Sequence, residues 1–232
     1  MASAAGSRRG GSAHAAPGLL QDVAEHPARN HLLLVIGVMT ASLLQVLDIT
    51  IANVAIPHMQ SSLGASPDSV SWVLTSYIIA SAVAMPITGW LADRIGSRRL
   101  FLISVTLFVI ASMLCGLAQT LEEMVLFRAL QGIGGAFIAP LSQSALLDST
   151  RPSRQPQIIA LWGMGVMIGP ILGPVLGGWL TEALTWRWVF FVNVPVGIVC
   201  ILLLLAELPS RPIRQRRFDL FGFAMIGLTL AS

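Results

Sequence analysis

The sequence contains 232 residues, of which 55% are apolar and only 11% charged, with a net charge of +3 and a mean hydropathy of +0.77. Soluble domains are roughly half apolar and a quarter charged, so this composition excludes an ordinary soluble protein. The small positive charge is a weak basis for nucleic-acid binding. The two cysteines, Cys115 and Cys200, lie in separate apolar runs without the spacing of a metal site.

The chain begins with a polar segment, residues 1–30, rich in Ala, Gly, Ser and Arg. It lacks the apolar centre of about 7 to 15 residues that marks a signal peptide, so we interpret it as a disordered tail. Apolar runs of about 20 residues follow, the length that crosses a bilayer as a helix. They cover residues 32–56, 70–91, 100–118, 121–147, 157–180 and 188–206. These runs predict an all-α polytopic membrane protein with a six-helix bundle over residues 31–206.

The end of the sequence contains an Arg-rich loop, residues 207–217, and one more apolar run, residues 218–232. A helix of about 15 residues rises little more than about 20 Å, short of a hydrocarbon core of about 30 Å. We therefore expect this run to be the start of a seventh transmembrane helix that is truncated in mid-span.

The arginines predict the orientation of the bundle, because cytoplasmic loops of membrane proteins carry an excess of basic residues. Apart from Arg128, inside the fourth run, and Arg187, every arginine lies in the tail or in alternate connectors on one side. The prediction is a multi-pass membrane protein with a cytoplasmic tail and a cytoplasmic 207–217 loop.

The first run, "LLQVLDITIANVAIP", carries a carboxylate, Asp48, within apolar sequence. Asp48 lies about nine residues before Pro57, the expected outer end of its helix. Arg128 lies about seven residues after the outer end of the fourth helix, so the two charges should have a similar depth and can neutralise each other. Ionisable groups inside a membrane are usually functional, which favours proton coupling by Asp48 over the alternative, a permanent pair that only fixes helix packing.

Other polar residues in the runs are candidates for lining a cavity. Gln45 shares the helical face of Asp48, and Gln131 shares the face of Arg128. The complete set of candidates is Gln45, Asn53, Tyr77, Gln131 and Gln143.

The connector between the second and third runs reads "GWLADRIGSRR". Gly89 and Gly96 would permit a tight reversal of the chain, and Asp93 could cap the third helix. The arginines would keep the loop in the cytoplasm. On residue types alone, a loop that only sets the topology is the favoured interpretation.

The fourth run contains "FRALQGIGGAF". Arg128 costs about 2.5 to 3.5 kcal/mol at the centre of a membrane helix, so it should face a polar interior or a carboxylate. The alternative is that its side chain extends, or snorkels, to the nearby membrane surface.

The fifth run, "GMGVMIGPILGPVLGGWL", has Gly165, Gly169, Gly173 and Gly177 at intervals of four residues. These glycines predict a smooth ridge, the glycine ridge, on which another helix can pack closely. Two prolines in the same run each remove a backbone hydrogen bond and should bend the helix. Ordinary close packing remains an alternative to any special role.

Five strings, which follow one another along the chain, resemble motifs of the major facilitator superfamily. They are "LDITIANVAIP", "GxLADRxGxRR", "RxxQGxGGA", "GxxxGPxxGG" and "WRWVFFVNVPVG". Within it, the strings are most similar to the fourteen-helix drug and proton antiporters of the EmrB/QacA type, and closest to the EmrB type. The resemblance covers about residues 40–232. The chain departs at Ala160, where the family often has a further glycine upstream of Gly169.

The resemblance implies roles for particular residues. Asp93 would belong to a charge network that closes the cytoplasmic side, and the fourth-helix motif would take part in proton transfer. The gating loop would comprise Gly89, Asp93, Arg94, Gly96, Arg98 and Arg99. The antiporter motif would comprise Gly165, Gly169, Pro170, Gly173, Pro174, Gly177 and Gly178.

The function implied by the resemblance is proton-coupled export of lipophilic or amphiphilic drugs across the bacterial inner membrane by alternating access, without a cofactor. Membrane lipids, the exported compounds and, for the EmrB type, a periplasmic adaptor and an outer-membrane channel would be the partners. An importer or facilitator on the same fold is one alternative, and a non-transporting membrane domain is another. An enzyme is not expected, because the sequence shows no metal cluster, phosphate loop or nucleophile arrangement.

Overall fold

The structure is a computed structural model that describes residues 30–209, and all regular structure within that range is helical. The tail predicted for residues 1–30, except residue 30 itself, and the seventh helix predicted at 218–232 lie outside the described residues. So does most of the predicted 207–217 loop. The α-helices are α1 His31–Ser62, α2 Pro67–Val70, α3 Trp72–Ala84, α4 Thr88–Ile95, α5 Ser97–Leu117, α6 Leu121–Ala136, α7 Ile138–Ser149, α8 Gln155–Ala183, α9 Trp188–Phe191 and α10 Asn193–Glu207. Short 3₁₀ turns are at Met85–Ile87 and Pro152–Arg154.

These helices combine into six segments that are long and apolar enough to cross a membrane. We call them spans 1 to 6. In order they are His31–Ser62, Pro67–Ile95, Ser97–Leu117, Leu121–Ser149, Pro152–Ala183 and Trp188–Glu207. The prediction of an all-α bundle with six spans is therefore confirmed.

Span 1 corrects the predicted end of the first helix. The helix continues through Pro57 to Ser62. A proline removes only its own backbone donor, and a membrane helix tolerates that loss. Asp48 thus lies about 14 residues from the end of its helix rather than nine, near the middle of span 1.

The connector between spans 2 and 3 is much shorter than predicted. Helix α4 ends at Ile95 and α5 begins at Ser97, so only Gly96 separates them. Gly96 has a φ of 91°, a conformation that glycine adopts without strain, whereas Gly89 lies inside α4 and contributes nothing to the reversal. The N-cap of α5 is Gly96 and not Asp93.

Spans 2 and 4 are each interrupted near a proline. Span 2 passes through a 3₁₀ turn that contains Pro86, and span 4 breaks at Phe137, three residues before Pro140. Proline cannot donate the backbone hydrogen bond that would continue the helix, which explains both interruptions. Each span still crosses the bundle as one unit.

One end of the bundle, where span 1 begins, is held together by hydrogen bonds between spans. We call it the Arg-rich end. The backbone N–H of Asn30 donates to Oε2 of Glu207 at 2.7 Å, and Nη2 of Arg98 donates to the carbonyl of Leu205, also at 2.7 Å. These bonds join the end of span 6 to the beginnings of spans 1 and 3.

Span 1 packs against spans 5 and 6, while span 4 packs against spans 2 and 3. The glycine ridge of span 5 lies against span 1 in one of these contacts. A Cβ atom added at Gly169 would lie 2.5 Å from Cγ1 of Val46, and one at Gly177 would lie 3.2 Å from the carbonyl oxygen of Ile51. The ridge therefore faces span 1 and not lipid, whereas Pro170 and Pro174 are exposed on the other side of the helix.

The ridge generates a prediction about bulk at one glycine. In Gly173→Ala the new methyl group would collide with the Oγ1 atom of Thr50 and lie 2.5 Å from its Cβ atom. Such overpacking costs about 1 to 3 kcal/mol, so we expect a lower melting temperature for the purified protein. Gly163→Ala is the matched control in the same helix, because an added Cβ there meets nothing within 4 Å. Equal melting temperatures for the two variants would contradict the close packing of spans 1 and 5.

Candidate functional site

Asp48 and Arg128 form an ion pair inside the bundle. Nη1 of Arg128 lies 2.6 Å from Oδ2 of Asp48, and both side chains are 0% exposed. Two buried charges are tolerated when each neutralises the other and further hydrogen bonds replace their lost water. The structure thus brings together the two charges whose pairing was expected from their depth.

Several contacts fix the guanidinium of Arg128. Span 4 begins with Thr120 as N-cap, whose hydroxyl accepts from the backbone N–H of Glu123 at 3.2 Å. Two turns later, Nε of Arg128 donates to the carbonyl of Val73 at 3.1 Å. The cation lies 4.5 Å from the ring centroid of Tyr77, a favourable cation–π distance. Arg128 therefore points into the bundle, and the alternative of snorkelling to the surface is wrong.

Gln131 joins both members of the pair. Its amide nitrogen donates to Oδ1 of Asp48 at 2.8 Å, while its amide oxygen accepts from Nη1 of Arg128 at 2.8 Å. The same oxygen lies 3.7 Å from the Sγ atom of Cys115. Because the oxygen must face a donor and the nitrogen must face the carboxylate, these partners fix the orientation of the amide.

Asn193 is a member of the site that the sequence analysis missed. Its Nδ2 atom donates to Oδ1 of Asp48 at 2.7 Å and to Oγ of Ser112 at 2.9 Å. Ser112 in turn donates to the carbonyl of Phe190 at 3.0 Å. The available signal was a single amide in the otherwise apolar span 6, within the "WRWVFFVNVPVG" string. We refer to Asp48, Arg128, Gln131 and Asn193 as the carboxylate network.

Glycines of span 4 let neighbouring helices reach this network. A Cβ atom added at Gly132 would collide with the carbonyl oxygen of Tyr77, and one at Gly135 would lie 2.5 Å from the hydroxyl of the same tyrosine. A Cβ at Gly134 would lie 2.8 Å from the backbone nitrogen of Phe108 in span 3. The string "GIGGA" thus allows the close approach that places Tyr77 over Arg128.

The remaining cavity candidates are outside the carboxylate network. Asn53 and Gln143 are exposed on the surface of the bundle, whereas Gln45 is half-buried with its side chain next to that of Tyr77. Of the five candidates, only Tyr77 and Gln131 are buried beside Arg128.

The predicted gating loop lies in helices at the Arg-rich end. Asp93 and Arg94 are in the last turn of α4, and Arg98 and Arg99 are in the first turn of α5. Arg94 lies over the ring of Trp90, with 5.3 Å from its guanidinium carbon to the ring centroid. These residues therefore form a helix-to-helix corner around Gly96 rather than an extended loop.

The carboxylate network surrounds Asp48 with hydrogen-bond donors. One oxygen of Asp48 accepts from Arg128, and the other accepts from the two amides of Gln131 and Asn193. Every neighbour donates, so the arrangement suits the ionised carboxylate and offers no acceptor to a protonated one.

Three comparisons relate the chain to known proteins. Residues 38–230 match the model of a family described as Major Facilitator Superfamily. The chain is 47% identical over 199 residues to the multidrug export protein EmrB of Haemophilus influenzae, covering 85% of this chain and 39% of that protein. It is 42% identical over 202 residues to EmrB of Escherichia coli K12, covering 86% and 40%.

A third relative has a different name. The chain is 46% identical over 159 residues to the fatty acid resistance protein FarB of Neisseria gonorrhoeae, covering 68% of this chain and 31% of that protein. The chain spans about 40% of the length of the EmrB relatives and less of FarB.

Among solved structures, the chain is similar to a peptide transporter POT in complex with sulfate. The TM-score is 0.73 at 16% identity, over 91% of this chain and 47% of that one. An auto-inhibited POT family peptide transporter gives a TM-score of 0.68 at 14% identity, over 79% and 39%. At these identities the likeness concerns the fold alone.

The ion pair generates a prediction about stability. Arg128→Met leaves Asp48 buried without its counter-charge, which costs about 3 to 5 kcal/mol when one partner of a buried pair is removed. We expect a large fall in the melting temperature of the purified protein. Combining it with Asp48→Asn should recover part of that loss, because the second change removes the stranded charge. Additive effects in this double-mutant cycle would contradict a direct interaction.

Proposed function

Because this chain belongs to the major facilitator superfamily, we propose that the complete protein exports lipophilic or amphiphilic compounds and drives export with protons. The names of the EmrB and FarB relatives, which refer to multidrug export and fatty acid resistance, support a substrate class of this kind. The proton gradient, rather than a bound cofactor, would supply the energy. In this scheme the described bundle is one half of a carrier that alternates between inward-open and outward-open forms.

The observation that carries the proposal is the buried carboxylate network. Asp48 is the one carboxylate among the described residues that is 0% exposed, and it lies near the middle of a span. A buried carboxylate that separates from its cation binds a proton more readily, because the charge that favoured its ionised form is lost. A carrier whose two forms differ in the distance between Asp48 and Arg128 would therefore bind a proton in one form and release it in the other.

Gating at the Arg-rich end belongs to the same scheme. We place Gly89, Asp93, Arg94, Gly96, Arg98 and Arg99 at the cytoplasmic side, where the charged corner would meet the second half of the carrier. The glycine ridge would let span 5 slide or tilt on span 1 with little steric resistance. The exposed amides Asn53 and Gln143 are candidates for contacting substrate.

The proposed location is the bacterial inner membrane, with the Arg-rich end in the cytoplasm. This orientation follows the distribution of arginines, of which Arg187 alone in the described range lies at the opposite end of the bundle. A periplasmic adaptor and an outer-membrane channel are the proposed partners, by analogy with the EmrB type.

The first prediction of this proposal concerns Asp48→Asn in the complete gene product. The variant keeps the size and hydrogen bonding of the side chain but cannot exchange a proton. Energised efflux of the fluorescent dye ethidium should fall to the level of cells without the transporter, and Asp48→Glu should recover part of it. Melting temperature should also fall, because Arg128 loses its counter-charge.

Membrane abundance of each variant, measured in parallel, separates loss of transport from loss of protein. Ser42→Ala is a control, since its hydroxyl binds Ser142 and Trp162 away from Asp48. Efflux by Asp48→Asn at the wild-type rate and with the same pH dependence would show that Asp48 is not the coupling group.

The second prediction concerns orientation. Ser66 and Ser153 are exposed serines at opposite ends of the bundle, and the chain's own cysteines are both buried. We expect cysteine at position 66 to react with an impermeant thiol reagent in intact spheroplasts. Cysteine at position 153 should react only after the membrane is permeabilised. The reverse pattern would mean that the Arg-rich end lies outside.

A further inference from the structure

Asn193 is the member of the carboxylate network to which neither the family resemblance nor the ion pair assigns a role. It begins α10 in span 6 and is 2% exposed. Its side chain bonds to Asp48 in span 1 and Ser112 in span 3, so it joins three spans at one point.

The direction of the hydrogen bonds around Asn193 follows from its neighbours. The carbonyl of Phe190 can only accept, so the hydroxyl of Ser112 donates to it. The oxygen of Ser112 is then free to accept from the Nδ2 atom of Asn193. The second hydrogen on Nδ2 points at Oδ1 of Asp48, 2.7 Å away. The amide therefore presents a donor, and not its oxygen, to the carboxylate.

The three donors to Asp48 are held in place by different neighbours. Arg128 is fixed by Val73, and Gln131 is fixed by Arg128 itself, so both are anchored by span 4 and its neighbours. Asn193 is held instead by Ser112 of span 3, whose hydroxyl accepts from Asn193 and donates to the backbone of span 6. Movement of span 6 relative to span 1 would remove this donor, whereas the pair of Asp48 and Arg128 joins spans 1 and 4 and does not involve span 6.

The charged and titratable groups that face Asp48 are few. Arg128 faces it from span 4, Tyr77 from span 2 and Cys115 from span 3. Within residues 30–209, spans 5 and 6 contribute no titratable group beside it. A change at Asn193 therefore alters the surroundings of Asp48 without adding or removing a charge.

We propose that Asn193 is a positioning residue that holds Asp48 in its ionised form, and that loss of its hydrogen bond raises the pH at which Asp48 takes up a proton. This inference rests on the proposed function in one respect, namely that Asp48 exchanges a proton during transport. The hydrogen-bonded amide favours the ionised carboxylate, because its N–H donor bonds more strongly to a charged oxygen than to a neutral carboxyl group. The N–H also cannot accept the proton that a protonated Asp48 would carry.

The test measures protonation of Asp48 directly in the purified complete gene product. Infrared difference spectra between pH values show a C=O band for each protonated carboxyl group, and the band that disappears in Asp48→Asn belongs to Asp48. In Asn193→Leu, which keeps the volume but removes the donor, the midpoint of that band should rise by about one pH unit. This corresponds to about a tenfold change in proton affinity, as expected for one hydrogen bond to a charged group.

Two further variants make the result decisive. Ser112→Ala removes the acceptor that supports Asn193, together with the bond from Ser112 to the carbonyl of Phe190. It should move the midpoint in the same direction by a smaller amount, which tests the proposal even when Asn193→Leu does not fold. Ser42→Ala, a buried interhelical hydroxyl outside the network, should leave the midpoint unchanged. An unchanged midpoint in folded Asn193→Leu, or in Ser112→Ala when the first variant does not fold, would overturn the proposal. A raised midpoint in a protein that shows no proton-driven ethidium efflux would overturn the proposed function and leave the role of Asn193 standing.

Discussion

A carboxylate can be buried among apolar helices only when hydrogen-bond donors and a cation replace its water, and this constraint explains much of the bundle. Asp48 receives a guanidinium and two amide donors at 2.6 to 2.8 Å. These donors come from spans 4 and 6, the carboxylate itself comes from span 1, and spans 2 and 3 hold the donors through Val73 and Ser112. The polar network thus fixes the relative positions of five spans at one depth, where apolar packing alone would leave them free to shift.

The glycines of the bundle serve the same network at the level of backbone spacing. In span 4 they bring Tyr77 over Arg128, and in span 5 they bring the helix against the face of span 1 next to Asp48. One set of contacts is polar and directional, whereas the ridge is smooth and makes few specific bonds. The polar contacts thus lie among spans 1, 2, 3, 4 and 6, whereas span 5 meets span 1 mainly through the small glycines of the ridge.

The sequence predicted the parts of this arrangement that depend on position along a helix. The spans follow from the length of the apolar runs. The encounter of Asp48 with Arg128 was predicted correctly, but the depth argument for it used a helix end at Pro57 that was wrong. Asn193 and Ser112 were missed because their contact depends on how spans 3 and 6 rotate about their axes. The sequence also did not show that the chain reverses at Gly96 alone and that Gly89 lies inside a helix. This difference depends on the backbone angles of the two glycines, and either glycine could have adopted the angles of the reversal.

Proton exchange at Asp48 is the central claim, and counting protons tests it most directly. Ethidium would be supplied to proteoliposomes that contain the complete gene product, and the protons that cross the membrane in the opposite direction would be measured with a pH indicator. The account predicts proton movement that accompanies ethidium transport by the wild-type protein and none by Asp48→Asn, because Asp48 takes up a proton only in a carrier form in which a donor has moved away from it. Equal proton movement by the two proteins would contradict it.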